Sequence, residues 1–383
     1  MTDTIAIDRK ELAGALRIMA PIAPKKFYIV TQSSVSITQA NRKLRLTVNN
    51  ADMMIEKTLD VESDQIHSTV LLVRALARAV AVFPDGPVEI GLEDYTKTMN
   101  TSVYRHFVKA GSSTVTMRSY DPSDFPLTPA ITPGGPTATV KAEDFIEALR
   151  LCSLSAAHED SRPVLTGISF RGKGGKLELA AADGFRLTVC DIACQMREPF
   201  ERIVPAEIIK PLIALATGSE KPITIAWSPA GQRFIEFSGD SWRLIASPIE
   251  GTFPSYDQLI PKEFNCRAVV NRDAMLQAVK LVKAVGSGIT RIKFDKTSGM
   301  EISCTGIDDE PSAATKLMPA SATGDPGKIA FNVKYLYDVV SSMKGDIVIE
   351  TTSPSSQAVF RQMTGSTGAR NLVHVVMPMF VGW

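Results

Sequence analysis

The sequence predicts an α+β protein built from three similar domains in tandem. Three observations carry that prediction. Helix-like amphipathic stretches open near residues 9, 71, 141, 205, 271 and 332, at intervals of 61–70 residues. Short alternating or β-branched runs, broken by turn residues, fill the intervals, so the repeating unit is helix, strands, helix, strands. Pro-rich stretches at 120–136 and 251–261, each with an aromatic–Pro step, separate one pair of helices from the next. At roughly 100–200 residues per domain, the 383 residues divide at 1–133, 137–261 and 265–383.

In chain order, the first helix starts near residue 9 and is followed by a strand at 44–48. The second opens near 71; Val73, Leu76, Val80 and Phe83 fall at i, i+3, i+7 and i+10 and form one apolar stripe. Strands follow at 88–92 and 115–118. In the third helix Phe145, Leu149 and Cys152 fall at i, i+4 and i+7, and strands at 168–171 and 176–180 come after it. The linking Gly172-Lys173-Gly174-Gly175-Lys176 is read as a hairpin turn, because a strand and not a helix follows it and its spacing does not fit a phosphate loop. Pro211 is tolerated only in a first helical turn, which makes the fourth helix start late, ahead of a strand at 223–227. Asn271 and Asn332 are good N-caps for the fifth and sixth helices; strands are expected at 292–294 and 347–350.

Composition excludes several classes. Apolar residues at 44%, charged residues at 22%, 25 Gly and 23 Pro describe an ordinary globular protein, not a collagenous or disordered one. Apolar runs such as 80–83 fall far short of the ~20 residues of a bilayer span, and residues 1–7 lack a signal-peptide pattern, which predicts a cytoplasmic protein with no membrane partner. Five cysteines without a C-x-x-C pair read as buried thiols. The four histidines show no metal-ligand spacing, and Asp308-Asp309-Glu310, followed by Pro311-Ser312, reads as a solvated loop, so neither metal nor cofactor is expected. No G-x-S-x-G elbow occurs, and His158-Glu159-Asp160 reads as the loop closing the third helix; the chain shows no catalytic constellation.

A net charge of +1 does not mark a strong nucleic-acid binder. Basic residues nevertheless recur on helices: Lys10 and Arg17 on the first, Arg74 and Arg78 on the second, Lys280 and Lys283 on the fifth. A single such face is usually only solvated; its repetition across domains weakens that reading.

Four segments together resemble the bacterial DNA polymerase III β subunit (sliding clamp) family. They are His158–Gly167 (HEDSRPVLTG), Ala182–Leu187 (ADGFRL), Phe253–Tyr256 (FPSY) ending at Ile260-Pro261, and Phe331–Leu336 (FNVKYL) with the terminal Val375–Met379 (VVMPM). The resemblance runs from about 140 to 379 by motif and through the first third by pattern. It implies three clamp-like domains, each with two helices packed on antiparallel sheets, forming half of a closed ring that a head-to-tail homodimer completes. The ring would encircle duplex DNA without reading base edges and tether a replicative polymerase; a clamp loader and, further, translesion polymerases and mismatch-repair proteins are implied partners, on bacterial nucleoid DNA in the cytoplasm.

Carried over by position, the partner-peptide pocket would use Leu165, Gly184, Phe185, Arg186, Leu187, Pro254, Leu259, Asn332, Tyr335, Pro354, Ser356, Val376, Met377, Pro378 and Met379. DNA would face Lys10, Arg17, Lys26, Arg74, Arg78 and Lys280. The dimer would join Val115 and Met117 to Ala284 and Val285. Departures from the family pattern are Ala182 for Thr, Phe185 for His, Gln258 for a basic residue, Ala206-Glu207 for a basic pair, and a tail ending Phe380-Val381-Gly382-Trp383. They motivate a second reading: a specialised clamp whose altered pocket serves a restricted partner set or resists a pocket-directed inhibitor. A third, a nucleotide- or phosphodiester-cleaving enzyme on a three-domain scaffold, has no residues to support it.

Overall fold

The structure, a computed structural model, describes residues 4–382 apart from 25, 27–28, 64–66, 98–101, 128–130, 132–134, 160, 229–233, 287, 296–298, 306–310, 318–320, 325–326 and 364–370. The expected 308–310 loop, Asp160 and Trp383 therefore lie outside the described residues. Six α-helices occur among the described residues: α1 (Arg9–Met19), α2 (Val73–Val82), α3 (Ala142–Ser153), α4 (Ile209–Ala216), α5 (Arg272–Val285) and α6 (Val333–Ser342). Each begins within four residues of the position expected from the sequence. The strands named in the pairings below are antiparallel, and the fold is mixed α+β.

The chain forms two compact units. One comprises Met1–Ile146, Gln195–Glu198 and Glu207–Pro248, the other Glu147–Cys194, Pro199–Ala206 and Ile249–Trp383. In the first, the Asp8 carboxylate caps α1 by accepting from the Lys10 and Glu11 amides at 2.8 and 3.2 Å. Helix α1 buries Leu12, Ala15, Leu16 and Met19, and α2 buries Val73, Leu76 and Val80. Pro211 is the third residue of α4, behind a 3-10 turn at Ala206–Ile208 that absorbs the late start. Strand Pro87–Lys97 pairs with Ser102–Ala110, which pairs with Ser113–Tyr120. It runs past the expected end at residue 92 because a bulge between Leu92 and Asp94 lets the ladder continue through polar residues. Strand Ser113–Tyr120 has a second neighbour only at Ser119 and Tyr120, so among described residues its outer edge from Ser113 to Arg118 carries no strand.

In the second unit, Gly167–Lys173 and Lys176–Ala182 form the expected hairpin; Gly174 and Gly175 have φ of 60° and 81°, the left-handed pair that a two-residue primed turn requires. The ladder continues through Arg186–Met196 to Val373–Val376, with Arg186 opposite Val376 and Thr188 opposite His374, and on to Ala358–Gln362, Ile347–Thr351 and Cys266–Val270. A separate four-stranded sheet runs Pro311–Leu317, Gly299–Thr305, Ile289–Asp295, Lys328–Asn332, and among the described residues Pro311–Leu317 and Lys328–Asn332 are its two edge strands. The Asn271 carboxamide caps α5 at the Ala274 amide, 3.0 Å, and Asn332 caps α6 at the Lys334 amide, 2.9 Å.

A largely buried polar chain joins three of these elements and the turn after α3. Ser155 Oγ meets Thr188 Oγ1 at 2.7 Å, Thr188 Oγ1 meets His374 Nδ1 at 2.8 Å, and His374 Nε2 meets Ser342 Oγ at 3.2 Å. Burial, with the Arg186 charge second, pulls the His374 pKa down to about 3, so the ring is neutral and each nitrogen has a hydroxyl partner. All five cysteines are buried and free, as their composition implied.

Candidate functional site

The pairing of Arg186–Met196 with the last strand brings a turn from the middle of the chain against its carboxyl-terminal segment, and the Met377 amide donates to the Phe185 carbonyl at 2.8 Å. The turn is built by Asp183. Its Oδ1 accepts from the Phe185 and Arg186 amides at 2.9 and 3.0 Å, while Gly184 takes φ +90°, a conformation side chains resist. Phe185 is thereby held outward, 61% exposed.

Arg186 points the other way and is buried. Its Nε donates to Asp183 Oδ2 at 2.9 Å, its Nη1 donates to Asp338 Oδ2 at 2.8 Å, and its guanidinium lies 4.4 Å from the centroid of the Tyr335 ring. Tyr335 and Asp338 stand one turn apart on α6, whose entry Asn332 fixes, so one arginine pins the turn to the helix. Burial first, and then the nearby carboxylates, push the Tyr335 hydroxyl pKa up, which keeps it a neutral donor. Asp183 and Asp338 went unnoticed as site residues; the Asp-Gly step was a legible turn signal, whereas Asp338 lies 152 residues from its partner.

A cavity of about 420 Å³ opens beside the turn, walled by Leu165, Gly184, Phe185, Tyr335, Asp183, the 156–159 loop and Arg162. Beneath it Leu165 and Leu187 join a core cluster with Val189, Phe253, Tyr256 and Val375. Leu187 and Val376 are buried, so they support the surface from below instead of forming it. Leu259, Met377 and Met379 are exposed at 49%, 43% and 38%. The Leu259 carbonyl accepts from Gln357 Nε2 at 3.3 Å, next to the turn at Ser353–Ser356, where the two serine hydroxyls meet at 2.6 Å and Pro354 is exposed. Pro254 is exposed between buried Phe253 and Tyr256. The Met379 amide donates to the Ala330 carbonyl at 2.8 Å, leaving Pro378 half-buried and Phe380 86% exposed. Large apolar groups held in water beside a rigid turn are the ordinary signature of a surface that binds a partner.

Of the expected DNA-facing residues, Lys10, Arg17, Lys26, Arg78 and Lys280 are exposed. Lys10 Nζ also lies 3.4 Å from Asp85. Arg74 is half-buried and donates to the Ala23 and Pro21 carbonyls at 3.1 and 3.3 Å, in and just after the 3-10 turn Ala20–Ile22 that follows α1. Exposed basic residues that the spacing argument did not single out, Arg150, Lys210 and Lys334, stand on α3, α4 and α6. Val115 and Met117 are half-buried on the open edge of Ser113–Tyr120, and Ala284 and Val285 are exposed at the end of α5. Among the described residues, no group of three or more His, Cys, Asp and Glu could hold a metal ion.

Residues 139–255 match the family described as DNA polymerase III beta subunit, central domain, and residues 257–380 match its C-terminal domain. The chain is 26% identical over 347 residues to the beta sliding clamp of Streptomyces coelicolor, covering 90% of this chain and 89% of that one. It is likewise 26% identical over 344 residues to the beta sliding clamp homolog GriR of Streptomyces muensis, covering 86% and 87%. The fold matches the DNA polymerase sliding clamp of Bacillus subtilis with a TM-score of 0.87 at 17% identity over the whole of both chains. It matches the sliding clamp of Pseudomonas aeruginosa bound to griselimycin with a TM-score of 0.88 at 21% identity, again over both whole chains.

Proposed function

This chain belongs to the DNA polymerase III beta subunit family and is a sliding clamp without a catalytic site of its own; from that premise we propose how its parts divide the work. The surface around Phe185, Leu259, Met377 and Met379 takes short apolar peptide segments of the replicative polymerase, the clamp loader and repair proteins. The observation that carries this is the ion-paired Arg186, which fixes a turn presenting the exposed Phe185 ring beside a 420 Å³ cavity.

The chain acts as a head-to-tail homodimer of domains 1–133, 137–261 and 265–383. Two open strand edges support this, Ser113–Arg118 in one unit and Pro311–Leu317 in the other, since a heterologous pairing that closes on itself leaves no edge exposed. Val115 and Met117 of one protomer then face the Ala284 and Val285 end of α5 in the other. Exposed Lys10, Arg17, Lys26, Arg78 and Lys280 hold duplex DNA through phosphates alone, which permits sliding.

Retention on circular against linearised duplex, after loading by a compatible clamp loader at moderate salt, tests the ring. Retention on the circle alone is expected. Equal loss from both, together with a monomer mass by light scattering at micromolar concentration, overturns the reading. A second reading, a specialised clamp with a restricted partner set, is favoured by exposed aromatic Phe185 and Phe380 near the cleft; similar affinities for peptides from many partners count against it.

A further inference from the structure

Residues 253–261 carry two of the expected cleft residues, Pro254 and Leu259, and contain no strand. Leu259 is nevertheless held at both ends of its backbone. Its N–H donates to the Tyr256 carbonyl at 2.9 Å, and its own carbonyl accepts from Gln357 Nε2 at 3.3 Å, while the side chain stands in water. It closes a 3-10 turn of three residues, Asp257–Leu259, that starts from Tyr256 and whose hydrogen-bond geometry is poorer than that of an α-helix. The place of Leu259 therefore depends on what holds Tyr256.

Tyr256 is held by the sheet beneath it. On strand Lys176–Ala182, Glu178, Ala180 and Ala182 share one face, and Arg171 of the neighbouring strand stands directly opposite Glu178. Small alanine at 180 leaves room on that face, where Phe253 and Tyr256 join the core cluster edge to face, with ring centroids 6.1 Å apart. Phe253 needs nothing more, but a buried tyrosine must find a partner for its hydroxyl. The Tyr256 hydroxyl donates to Glu178 Oε1, and the Arg171 guanidinium lies 5.5 Å from the ring centroid. Arg171 in turn meets Glu178 at 3.4 Å and Glu201 at 3.7 Å. Burial first, and then the hydrogen bond to Glu178, push the Tyr256 hydroxyl pKa up, so the group stays a neutral donor.

We propose that Tyr256 is a positioning residue of the peptide cleft, which through its bond to Glu178 holds Leu259 ready for an apolar anchor of the partner peptide. This rests on the cleft being the peptide site. Tyr256 is 3% exposed, so it acts only through the backbone of Leu259. An exposed leucine that is already fixed loses less conformational freedom when a peptide settles on it, and binds more tightly for that reason. Both sides of the cleft are then set by the same device, a buried polar side chain tied to a carboxylate: Arg186 beneath Phe185, and Tyr256 beneath Leu259.

The test titrates the full chain with a fluorescein-labelled decapeptide carrying two leucines and a phenylalanine as anchors, read by anisotropy, with the fold of each variant checked by circular dichroism. Tyr256→Phe keeps the ring and removes only the hydroxyl; it should bind about fivefold more weakly. Glu178→Ala should match that loss, and Glu178→Gln, whose carboxamide oxygen still accepts, should recover most of it. In a Leu259→Ala background Tyr256→Phe should weaken binding no further, whereas in a Met377→Ala background the full loss should remain. Wild-type affinity in Tyr256→Phe, or an equal loss in both backgrounds, overturns the positioning role while leaving the cleft intact. Wild-type affinity in Leu259→Ala beside a weakened Met377→Ala does the same. No binding by the wild type overturns the cleft reading, and the positioning role with it.

Discussion

Arg186 and Arg78 carry the same guanidinium, and the fold treats them in opposite ways. Arg186 is buried, paired with two carboxylates and stacked on Tyr335, on a turn that Asp183 and Gly184 shape. Arg78 stands exposed on α2 in water. On the proposed division of work, the difference answers two kinds of recognition with different structural demands. Selecting a peptide needs side chains held in one geometry, which takes burial and partners on every donor. Holding DNA without stopping on it needs charge that no fixed geometry constrains.

The largest break in this contrast should come from Arg186→Ala. The substitution leaves Asp183 and Asp338 without the cation between them, and unfastens the turn from α6. Because both carboxylates keep some solvent, with side chains 13% and 20% exposed, the loss is set below the fully buried case, at about 2–3 kcal/mol. Urea denaturation reads that loss, and titration with an anchor peptide should show at least a 100-fold weakening. An Arg186→Ala protein as stable and as tight-binding as Arg78→Ala would erase the distinction.

Next in size is a pH effect under the same turn. The His374 pKa is pulled from 6.5 down to about 3 in the fold, chiefly by burial. Between those values the unfolded chain binds a proton that the folded one refuses, so stability is complete above 6.5 and is lost as pH falls toward 3. The slope is about 1.4 kcal/mol per pH unit, or roughly 2 kcal/mol between pH 6.5 and pH 5. Denaturation of the wild type and of His374→Gln at both pH values isolates it; an unchanged difference in the variant would assign the loss to other groups.

Met377→Ala should follow, with about tenfold weaker peptide binding and stability changed by less than about 0.5 kcal/mol, because the side chain is 43% exposed and its anchoring contact is the backbone bond to Phe185. A variant that also loses stability would place Met377 in the supporting core, beside Val376.

The helices were legible because a 3.6-residue period and an Asn cap are local signals: Asn271 and Asn332 cap as their positions implied. The hairpin at Gly174-Gly175 was legible for the same reason. Long-range partners were not. Leu187 and Leu259 look alike in sequence, yet one is packed in the core cluster and the other stands in water, since only the tertiary fold decides which face is covered. Asp338 reads as a polar helix position until Arg186 is placed against it, and Arg74 reads as surface charge until the Ala23 carbonyl is.

The smallest expected effect is the most informative about sliding. Replacing Arg17 and Arg78 together by Ala removes two charges that stand exposed on helix surfaces, so unfolding free energy should move by less than about 0.5 kcal/mol. Direct binding to a short linear duplex should weaken, and its log–log salt slope should flatten by about one for each phosphate that is no longer neutralised, equally for AT-rich and GC-rich duplexes. The residence time of the loaded protein on a closed circle should stay unchanged, because a closed ring is held by topology and not by these charges. If residence on the circle falls in step with linear affinity, then the charges and not the closure hold the protein on DNA, and Arg78 would belong with Arg186 as a fixed contact.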